Sequence, residues 1–558
     1  MSKLREFRLQ CSTNQVLLAA ALFMTVFANQ VFFRNLFATF IGESWGPLHV
    51  LSLAVVLMCA TVLLLTVVAF RPVLKPLLMV LFMISAGSAY FMDSYNIIID
   101  RDILANVMAT DSAETIDLLT PKLFLYLGLL GLLPSLLLWR IQIRPASLPK
   151  ALGSRLLLAG GALMVMLALV LMSSAFYSAF VREHKELRYY ANPLTPVYAG
   201  YKYAKTHFKT GRVRLASIGE DAQIPAADID RELVIMVVGE TARADRFSLN
   251  GYGRTTNPEL ARHNVISFTD VSSCGTSTAI SVPCMFDIYG QEDFSASKSA
   301  ATENALDVLR HTDVNILWRD NNSDSKGVAD RIATEDFRSP ETNPVCDTEC
   351  RDVGMLSGLR EFIDQQGTGD ILIVLHQMGS HGPAYFKRYP SEFRIFVPTC
   401  DTNQLDNCSE SEIGNAYDNT ILYTDYFLGR VIELLRSYDD RFETIMLYAS
   451  DHGESLGESG VFLHGLPYWL APDAQTRVPL IMWFGRNYHD VDVTALRKLR
   501  DEPLSHDNIF HTLLGLFEID SGIYDGRLDL LQKSRDLTGK PGESGCCSQT
   551  VFGDNANG

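Results

Sequence analysis

The run from Asp451 to His464 places several metal-binding and acid–base side chains within a short stretch. It reads Asp-His-Gly-Glu-Ser-Leu-Gly-Glu-Ser-Gly-Val-Phe-Leu-His and follows an apolar segment, residues 444–450. A carboxylate and an imidazole, Asp451 and His452, suit a divalent cation such as zinc. Adjacent side chains of a regular strand point to opposite faces, so both reach one ion only where the strand breaks, and Gly453 permits such a break. A solvated turn is the alternative, because Asp-His-Gly also occurs in loops.

Continuous apolar runs predict the strands that would position this stretch. They lie at 233–238, 371–375, 445–449 and 479–483, and a helical pattern such as 416–438 separates two of them. Such runs are typical of strands buried on both faces. Their alternation with helices predicts an exported α/β domain with a mainly parallel sheet flanked by helices.

Three of these runs end in residues that could do chemistry. Glu240 follows the first run, His376 and His381 follow the second, and Asp451 with His452 follows the third. In parallel sheets, ligands bind at the carboxyl ends of the strands. We therefore expect these side chains to meet at one edge of the sheet, where they could bind a metal.

A metal at this edge would need a group to activate, and the segment 273–284 offers hydroxyls. It reads Ser-Cys-Gly-Thr-Ser-Thr-Ala-Ile-Ser-Val-Pro-Cys and precedes a helix-compatible run. A hydroxyl at a helix N-terminus lies at the positive end of the helix dipole. Coordination to zinc would lower its pKa further and give a nucleophilic alkoxide. The alternative is that Thr276 and Thr278 only cap the helix.

The first third of the chain is apolar enough to cross a membrane several times. Each of five segments approaches or exceeds the roughly 20 residues that one crossing needs: 16–40, 50–70, 76–92, 122–139 and 156–180. Basic residues cluster in the N-terminal tail and in the second–third and fourth–fifth gaps, which places those parts in the cytoplasm. An odd number of spans then puts everything after residue 180 outside.

Cysteine placement and charge agree with an exported domain that binds no nucleic acid. Close pairs of cysteines in an exported domain indicate local disulfides, with a metal half-site as the alternative for Cys346 and Cys350; the neighbours Cys546 and Cys547 have no assigned role. The formal net charge is −16, and no basic stripe suits a nucleic acid. We predict four parts: a five-span transmembrane domain (1–182), an interfacial helix and linker (183–230), a periplasmic catalytic domain (231–536) and a C-terminal tail (537–558).

Several sequence blocks in series resemble a known family. Gly239-Glu-Thr, Cys274-Gly-Thr-Ser-Thr, Gly379-Ser-His-Gly-Pro, Ser450-Asp-His-Gly-Glu-Ser and Leu463-His-Gly occur in this order. The chain resembles the membrane-bound lipid A phosphoethanolamine transferases, which include the mobile colistin resistance enzymes and belong to the alkaline phosphatase and sulfatase superfamily. The resemblance covers essentially the whole chain and implies an alkaline phosphatase-like fold for the exported domain.

The resemblance also implies roles for particular residues. It implies zinc bound by Glu240, Asp451, His452 and the nucleophile Thr278, with His381 and His464 beside the phosphoryl group and able to hold a second zinc. The implied substrate-binding residues are Asn322, Lys326, Asn106, Thr110 and Glu114; the last three lie four residues apart, which places them on one helix face, although a solvated amphipathic helix is the alternative. The implied disulfides are Cys274/Cys284, Cys346/Cys350 and Cys400/Cys408.

The implied reaction transfers phosphoethanolamine from phosphatidylethanolamine to a lipid A phosphate through a threonine-bound intermediate, releasing diacylglycerol and promoting polymyxin resistance. We expect a monomer of the bacterial inner membrane whose partners are membrane lipids. Core sugars of lipopolysaccharide or periplasmic glucans are alternative acceptors. A formylglycine sulfatase is disfavoured, because Met285 stands where its motif needs arginine. A glycerol-phosphate transferase would share the five spans and the threonine nucleophile, and a membrane-anchored lipid or metal sensor would be a non-enzymatic function.

Overall fold

The computed structural model describes residues 9–532 and 534, apart from 41, 43, 44, 68, 110, 111 and 210–214. The predicted tail at 537–558, with Cys546 and Cys547, lies outside the described residues. The helices of the N-terminal part are α1 (Thr13–Phe27), α2 (Gln30–Phe40), α3 (Gly46–Val67), α4 (Leu74–Tyr95), α5 (Arg101–Ala109), α6 (Ser112–Leu118), α7 (Pro121–Arg140), α8 (Leu148–Met172), α9 (Ser174–Glu183) and α10 (Leu194–Lys209).

Among the described residues, α3, α4, α7 and α8 are each long and apolar enough to cross a membrane. The pair α1 and α2 meets the same condition only together, and the two helices are bent by 59° at the break between them. The structure thus has four such helices, or five if the bent pair is one span. The predicted number of five spans and the predicted domain boundaries stay predictions.

The break between α1 and α2 is stabilised by side chains that replace the interrupted helical hydrogen bonds. The side-chain amide of Asn29 donates to the carbonyl of Asn192 (2.7 Å), and that of Asn192 donates to the carbonyl of Ala28 (3.0 Å). The amide of Val31, near the start of α2, donates to Asp93 on α4 (2.8 Å). Backbone groups that cannot reach water in a membrane need such partners, so these side chains allow the bend.

The C-terminal part contains a seven-stranded sheet covered by helices on both faces. Its strands are β1 (Glu232–Gly239), β2 (Ile266–Phe268), β3 (Asn315–Asp320), β4 (Ala333–Asp336), β5 (Ile371–His376), β6 (Glu443–Ser450) and β7 (Leu480–Phe484), in the order β2-β7-β6-β1-β5-β3-β4. Two-residue strands pair Gln10–Cys11 with Gln142–Ile143, Ser455–Leu456 with Phe462–Leu463, and Val271–Ser272 with Leu504–Ser505.

The longest helices of this part are α11 (Thr278–Met285), α12 (Glu410–Arg436) and α13 (Asp507–Leu516). The shorter helices are Pro258–Arg262, Gly290–Asp293, Ala296–Ser299, Ala305–His311, Leu359–Gln365, Asp473–Thr476 and Val493–Arg497. Every residue of β1 is buried. Val234, Met236 and Val238 join the core that contains α13, while alternate residues such as Ile235 join the core that contains α12. Burial of each such side chain contributes about 1.5–3 kcal/mol.

The prediction of a mainly parallel sheet is confirmed, with a difference at one edge. Strands β6, β1, β5, β3 and β4 are parallel, whereas β7 runs antiparallel to both β6 and β2. The apolar run of β7 resembles the others because it is equally buried. Its carboxyl end, however, lies at the opposite edge of the sheet, so the residues after β7 cannot join those after β1, β5 and β6.

A buried ionic network joins α6 to the C-terminal part. Asp117 on α6 accepts hydrogen bonds from Lys387 (2.5 Å) and Arg388 (2.7 Å). Burial alone would raise the pKa of Asp117, but Arg388 and Lys387 hold it below its ordinary value. The Nε of Arg388 also donates to the carbonyl of His381 (2.7 Å). The network therefore fixes the backbone at His381 relative to the membrane-side helices.

We expect Asp117→Asn to lower the kcat/KM of the predicted transfer reaction about 10- to 100-fold while the metal content stays unchanged, because a small displacement of reacting groups is costly. Asp102→Asn, on the more exposed pair with Arg101, is the matched control and should have little effect. The measurements are steady-state kinetics and the metal content of each variant. Equal kinetics for the Asp117 and Asp102 variants would contradict this role of the network.

Candidate active site

The carboxyl ends of β1 and β6 bring three predicted metal ligands together. Glu240 directly follows β1, and Asp451 and His452 directly follow β6, which is hydrogen-bonded to β1 in parallel register. All three residues are fully or almost fully buried. One ligand atom from each lies within 4.8 Å of the other two. The structure therefore places the three side chains around one point, as the strand pattern predicted.

These residues fit a bound divalent metal. The Oδ2 of Asp451 is buried and has no hydrogen-bond partner among the described residues, although it lies 3.3 Å from the Nε2 of His452. The Nδ1 of His452 is 2.9 Å from the carbonyl of Gly453, which fixes the tautomer with a proton on Nδ1 and leaves the Nε2 lone pair for a metal. Burial lowers the pKa of His452 well below its ordinary value, which keeps the imidazole neutral.

The sequence analysis attributed the strand break to the conformational freedom of Gly453. The structure gives a different reason for glycine at this position. Gly453 is not among the residues with positive φ. A Cβ atom at this position would lie 2.1 Å from the carbonyl oxygen of Ala474. Glycine is therefore required because another backbone segment passes close by. Thr241, by contrast, has φ of 51°, and its amide donates to Asp451 (3.1 Å), so strained backbone helps to hold a predicted ligand.

Thr278 lies against the three ligands at the first turn of α11. Its Oγ1 donates to Glu240 (3.1 Å) and lies 3.4 Å from the Nε2 of His452. The residue that caps α11 is Ser277, whose side chain makes no capping hydrogen bond. Thr276 binds the carbonyl of Leu466 instead (2.7 Å). Neither threonine is therefore the N-cap, and only Thr278 faces the predicted metal ligands.

Asn322 and Lys326 lie on the loop after β3, and Asn322 contacts one of the same ligands. The side-chain amide of Asn322 donates to Glu240 (2.8 Å), and the Nζ of Lys326 donates to Ser323 (2.7 Å). Ser323 was not predicted from the sequence. A cavity of about 280 Å³ opens beside Asn322, Ser323 and His381. The loop thus connects the predicted metal ligands to a space that a substrate group could fill.

His381 and His464 meet beside His452, and their place beside a phosphoryl group stays a prediction. The ring centroids of His464 and His452 are 4.4 Å apart, and those of His464 and His381 are 5.6 Å apart. The Nδ1 of His464 lies 3.5 Å from Glu454. The Glu454 carboxylate is fully buried, and neither of its oxygens has a hydrogen-bond partner among the described residues. Glu454 is therefore available to orient His464 or to bind a cation.

We expect Glu454→Gln to lower kcat by about 10- to 100-fold, because the oriented carboxylate would stabilise a protonated His464 during turnover. Stopped enzyme assays would report kcat, and metal analysis would report occupancy of the Glu240–Asp451–His452 site. Glu502→Gln, an exposed position in the same part of the chain, is the control. An unchanged kcat in Glu454→Gln would contradict this role.

Two further buried histidines lie near this edge: His376, which the end of its strand led us to expect here, and His506, which was not predicted. His376, the last residue of β5, lies 2.9 Å from Asp320 at the end of β3. Burial alone would raise the pKa of Asp320, but His376 and the hydrogen bonds to Asp320 hold it below its ordinary value. His506 accepts from the amide of Cys274 (3.1 Å) and lies 3.0 Å from the carbonyl of Ser450; burial lowers its pKa to about 4. His506 therefore joins the backbones of the nucleophile and ligand loops.

The predicted membrane-side residues are only partly described. Asn106 lies on α5, Glu114 lies on α6 with an undescribed side chain, and Thr110 lies outside the described residues. Helix α5 packs against α11, which carries Thr278. A Cβ atom on Gly465 would lie 2.3 Å from the Cδ1 atom of Ile103 on α5, so the loop after His464 also approaches this helix closely. The α5 segment therefore lies next to both the nucleophile helix and the histidine loop.

Three disulfides join cysteines of the C-terminal part. They join Cys274 to Cys284, Cys346 to Cys350 and Cys400 to Cys408, which are the pairs that the resemblance implies. Cys274 and Cys284 bracket the first two turns of α11. The disulfide between them therefore restrains the segment that carries Thr278.

Comparison with known proteins decides the family. A family model described as phosphoethanolamine transferase EptA/EptB matches residues 57–208, and a sulfatase model matches residues 232–519. Phosphatidylethanolamine transferase Mcr-2 of Escherichia coli is 42% identical over 92% of this chain and 96% of its own length. The chain belongs to the phosphoethanolamine transferase family. The resemblance inferred from the sequence blocks is thereby confirmed.

Two more relatives cover almost the whole length of this family member. Phosphoethanolamine transferase EptA of Escherichia coli K12 is 38% identical over 94% of this chain and 97% of its own length. The integral membrane lipooligosaccharide phosphoethanolamine transferase A of Neisseria meningitidis superposes with a TM-score of 0.90 at 33% identity, covering 94% of this chain and 99% of that structure. Membrane and catalytic parts therefore occur in this chain in the same arrangement as in that structure.

Proposed function

We propose that the chain transfers phosphoethanolamine from phosphatidylethanolamine to a phosphate of lipid A, releasing diacylglycerol. The position of Thr278 carries this proposal, because its hydroxyl lies 3.1 Å from Glu240 and 3.4 Å from His452 at the start of a helix. The names of the relatives supply the donor, phosphatidylethanolamine, and a lipooligosaccharide acceptor. The chain is an inner-membrane protein with its catalytic domain in the periplasm, so both lipids are within its reach.

Zinc is the metal that the ligand atoms of this site suit best. Two carboxylates, one neutral imidazole and a threonine hydroxyl make an oxygen- and nitrogen-rich set of the size that tetrahedral zinc prefers. Glu240, Asp451 and His452 would hold the ion together with Thr278. When bound, zinc lowers the pKa of the threonine hydroxyl and neutralises negative charge on the phosphoryl group. His381, His464 and Glu454 offer ligand atoms for a second zinc.

In the first half of the reaction, the Oγ1 of Thr278 attacks the phosphorus of phosphatidylethanolamine. A bond forms between this oxygen and phosphorus, and the bond from phosphorus to the diacylglycerol oxygen breaks. Glu240 lies within hydrogen-bond distance of the threonine proton, so it orients the hydroxyl for attack. The departing diacylglycerol oxygen takes a proton from His464 or His381, whose rings lie beside each other, and the proton released by Thr278 restores that histidine.

In the second half, a phosphate oxygen of lipid A attacks the phosphoethanolamine held on Thr278. The bond from phosphorus to the threonine oxygen breaks. The threonine oxygen takes a proton from the same histidine, which the proton of the attacking phosphate restores. Asn322 and Lys326 lie on the loop that borders the cavity, where a cationic and an amide group would bind non-bridging phosphate oxygens. Asn106, Thr110 and Glu114 remain our proposed contacts to the ethanolamine headgroup, because α5 packs against the nucleophile helix.

The donor half of this proposal is tested by incubating the purified chain with fluorescent phosphatidylethanolamine. Release of labelled diacylglycerol that depends on zinc is expected, and its absence would favour a lipid or metal sensor. The acceptor half is tested by mass spectrometry of lipid A from expressing cells. Addition of phosphoethanolamine to lipid A is expected to reduce its negative charge and weaken the binding of polymyxin. A mass gain confined to the core oligosaccharide would contradict lipid A as acceptor.

A further inference from the structure

A second cluster of carboxylates lies at the opposite end of the strands, where β1 and β6 begin. Glu232 and Glu443 are the first residues of β1 and β6 and are direct cross-strand neighbours. Asp490 follows β7, whose antiparallel direction brings its carboxyl end to this edge. One oxygen from each of the three lies within 4.8 Å of the others. Because β1 has eight residues, the cluster is separated from Glu240 by roughly 25 Å.

Glu232 distinguishes this cluster from an ordinary group of surface acids. Its side chain is fully buried, and no described residue donates a conventional hydrogen bond to either of its carboxylate oxygens, beside which lies the carboxyl group of Asp370. Glu443 is also buried and accepts a hydrogen bond from the amide of His489 (3.1 Å). Like charges placed directly opposite on neighbouring strands are destabilising. Two buried glutamates in this position therefore need a cation or protons between them.

A fourth carboxylate, Asp370, lies beside this cluster. Asp370 lies close enough to accept from the amide of Glu232 (3.1 Å). The neighbouring Arg231 directs its guanidinium to the carbonyl of Gly369 (2.8 Å), so it does not hydrogen-bond to the Glu232 carboxylate.

We propose that Glu232, Glu443 and Asp490 bind a calcium ion. The ion would link β1 to β6 at the end of these strands that lies opposite the active site. The ligand atoms are all carboxylate oxygens. Such a set suits a hard cation such as calcium better than it suits zinc. Calcium takes oxygens at about 2.3–2.6 Å, so oxygens on opposite sides of the ion lie roughly 5 Å apart, and three oxygens within 4.8 Å of one another can reach one such ion. Magnesium needs shorter bonds and a stricter octahedron. The ion would stabilise the two strands whose other ends carry Glu240 and Asp451.

The test uses the full-length, zinc-loaded protein in detergent after removal of free calcium on a chelating resin. Calorimetric titration with calcium chloride should show binding of one calcium ion per chain, and saturating calcium should raise the thermal unfolding midpoint by roughly 3–6 °C. Glu232→Gln should weaken calcium binding at least tenfold and abolish this rise. Glu502→Gln, which is exposed, should respond to calcium like the wild type.

A second comparison separates a calcium site from a purely structural cluster. Without calcium, Glu232→Gln should unfold at a temperature equal to or above that of the wild type, because it removes repulsion. With calcium, it should unfold below the wild type. Glu443→Gln provides the same comparison if Glu232→Gln does not fold. Absence of calcium binding, an equal calcium response in the Glu232 variant, or stronger binding of magnesium than of calcium would overturn the proposal.

Discussion

Replacement of Thr278 with alanine is expected to lower the rate of phosphoethanolamine transfer by at least about 10³-fold, because this residue supplies the attacking oxygen of the first half-reaction. The hydroxyl lies at the point where α11 begins and where Glu240 and His452 converge. Alanine leaves the helix and the disulfide Cys274–Cys284 in place. The loss should therefore appear in kcat, while the affinity for phosphatidylethanolamine changes little.

Thr278→Ser is the matched control, since it keeps the hydroxyl and removes only a methyl group. It should retain transfer at a reduced rate. The measurement is release of labelled diacylglycerol under single-turnover conditions, which isolates the first half-reaction. Normal release in Thr278→Ala would contradict the role of this residue as the nucleophile.

A comparably large loss of transfer activity is expected for Asp451→Asn. The substitution keeps the shape of the side chain and the acceptor for the amides of Thr241 and His452, so the fold should be retained. It removes the negative charge that would bind zinc through the unpartnered Oδ2. We expect zinc occupancy at stoichiometric zinc to fall at least about tenfold and activity to fall about 10³-fold.

Burial raises the pKa of Asp451, so the buried negative charge costs stability when no metal is bound. Metal-free Asp451→Asn should therefore be as stable as the metal-free wild type, and only the wild type should gain stability on addition of zinc. Asp364→Asn, on an exposed ion pair with Arg441, is the control. Thermal unfolding with and without zinc, together with metal analysis, makes the comparison. An equal gain of stability from zinc in both proteins would contradict Asp451 as a ligand.

The sequence was sufficient to predict the strands that build the active site, because their apolar runs are long and uninterrupted. Glu240, Asp451 and His452 could be placed together from the rule that ligands bind at the carboxyl ends of parallel strands. The helix α12 begins at Glu410, earlier than its apolar pattern suggested. The capping box of Ser409 and Glu412 marks this start and was readable in the sequence.

Some features depend on contacts between distant segments, which no local pattern contains. The need for glycine at position 453 comes from Ala474, which passes close to it. Glu454 becomes relevant only because the following loop returns His464 to it. The Glu232 and Glu443 cluster depends on the register of β1 with β6, and its third member depends on the reversed direction of β7. These details follow from the pairing of strands and not from the strands themselves.

Thr278 is proposed to carry phosphoethanolamine between the two lipids, and the covalent adduct can be sought directly. The experiment mixes the zinc-loaded protein with phosphatidylethanolamine in the absence of lipid A, stops the reaction with acid, and examines the peptides by mass spectrometry. We predict one added phosphoethanolamine group on the peptide that contains Thr278, which disappears when lipid A is added before the acid. Diacylglycerol release without any modified Thr278 peptide, or an adduct on a different residue, would contradict this role of Thr278.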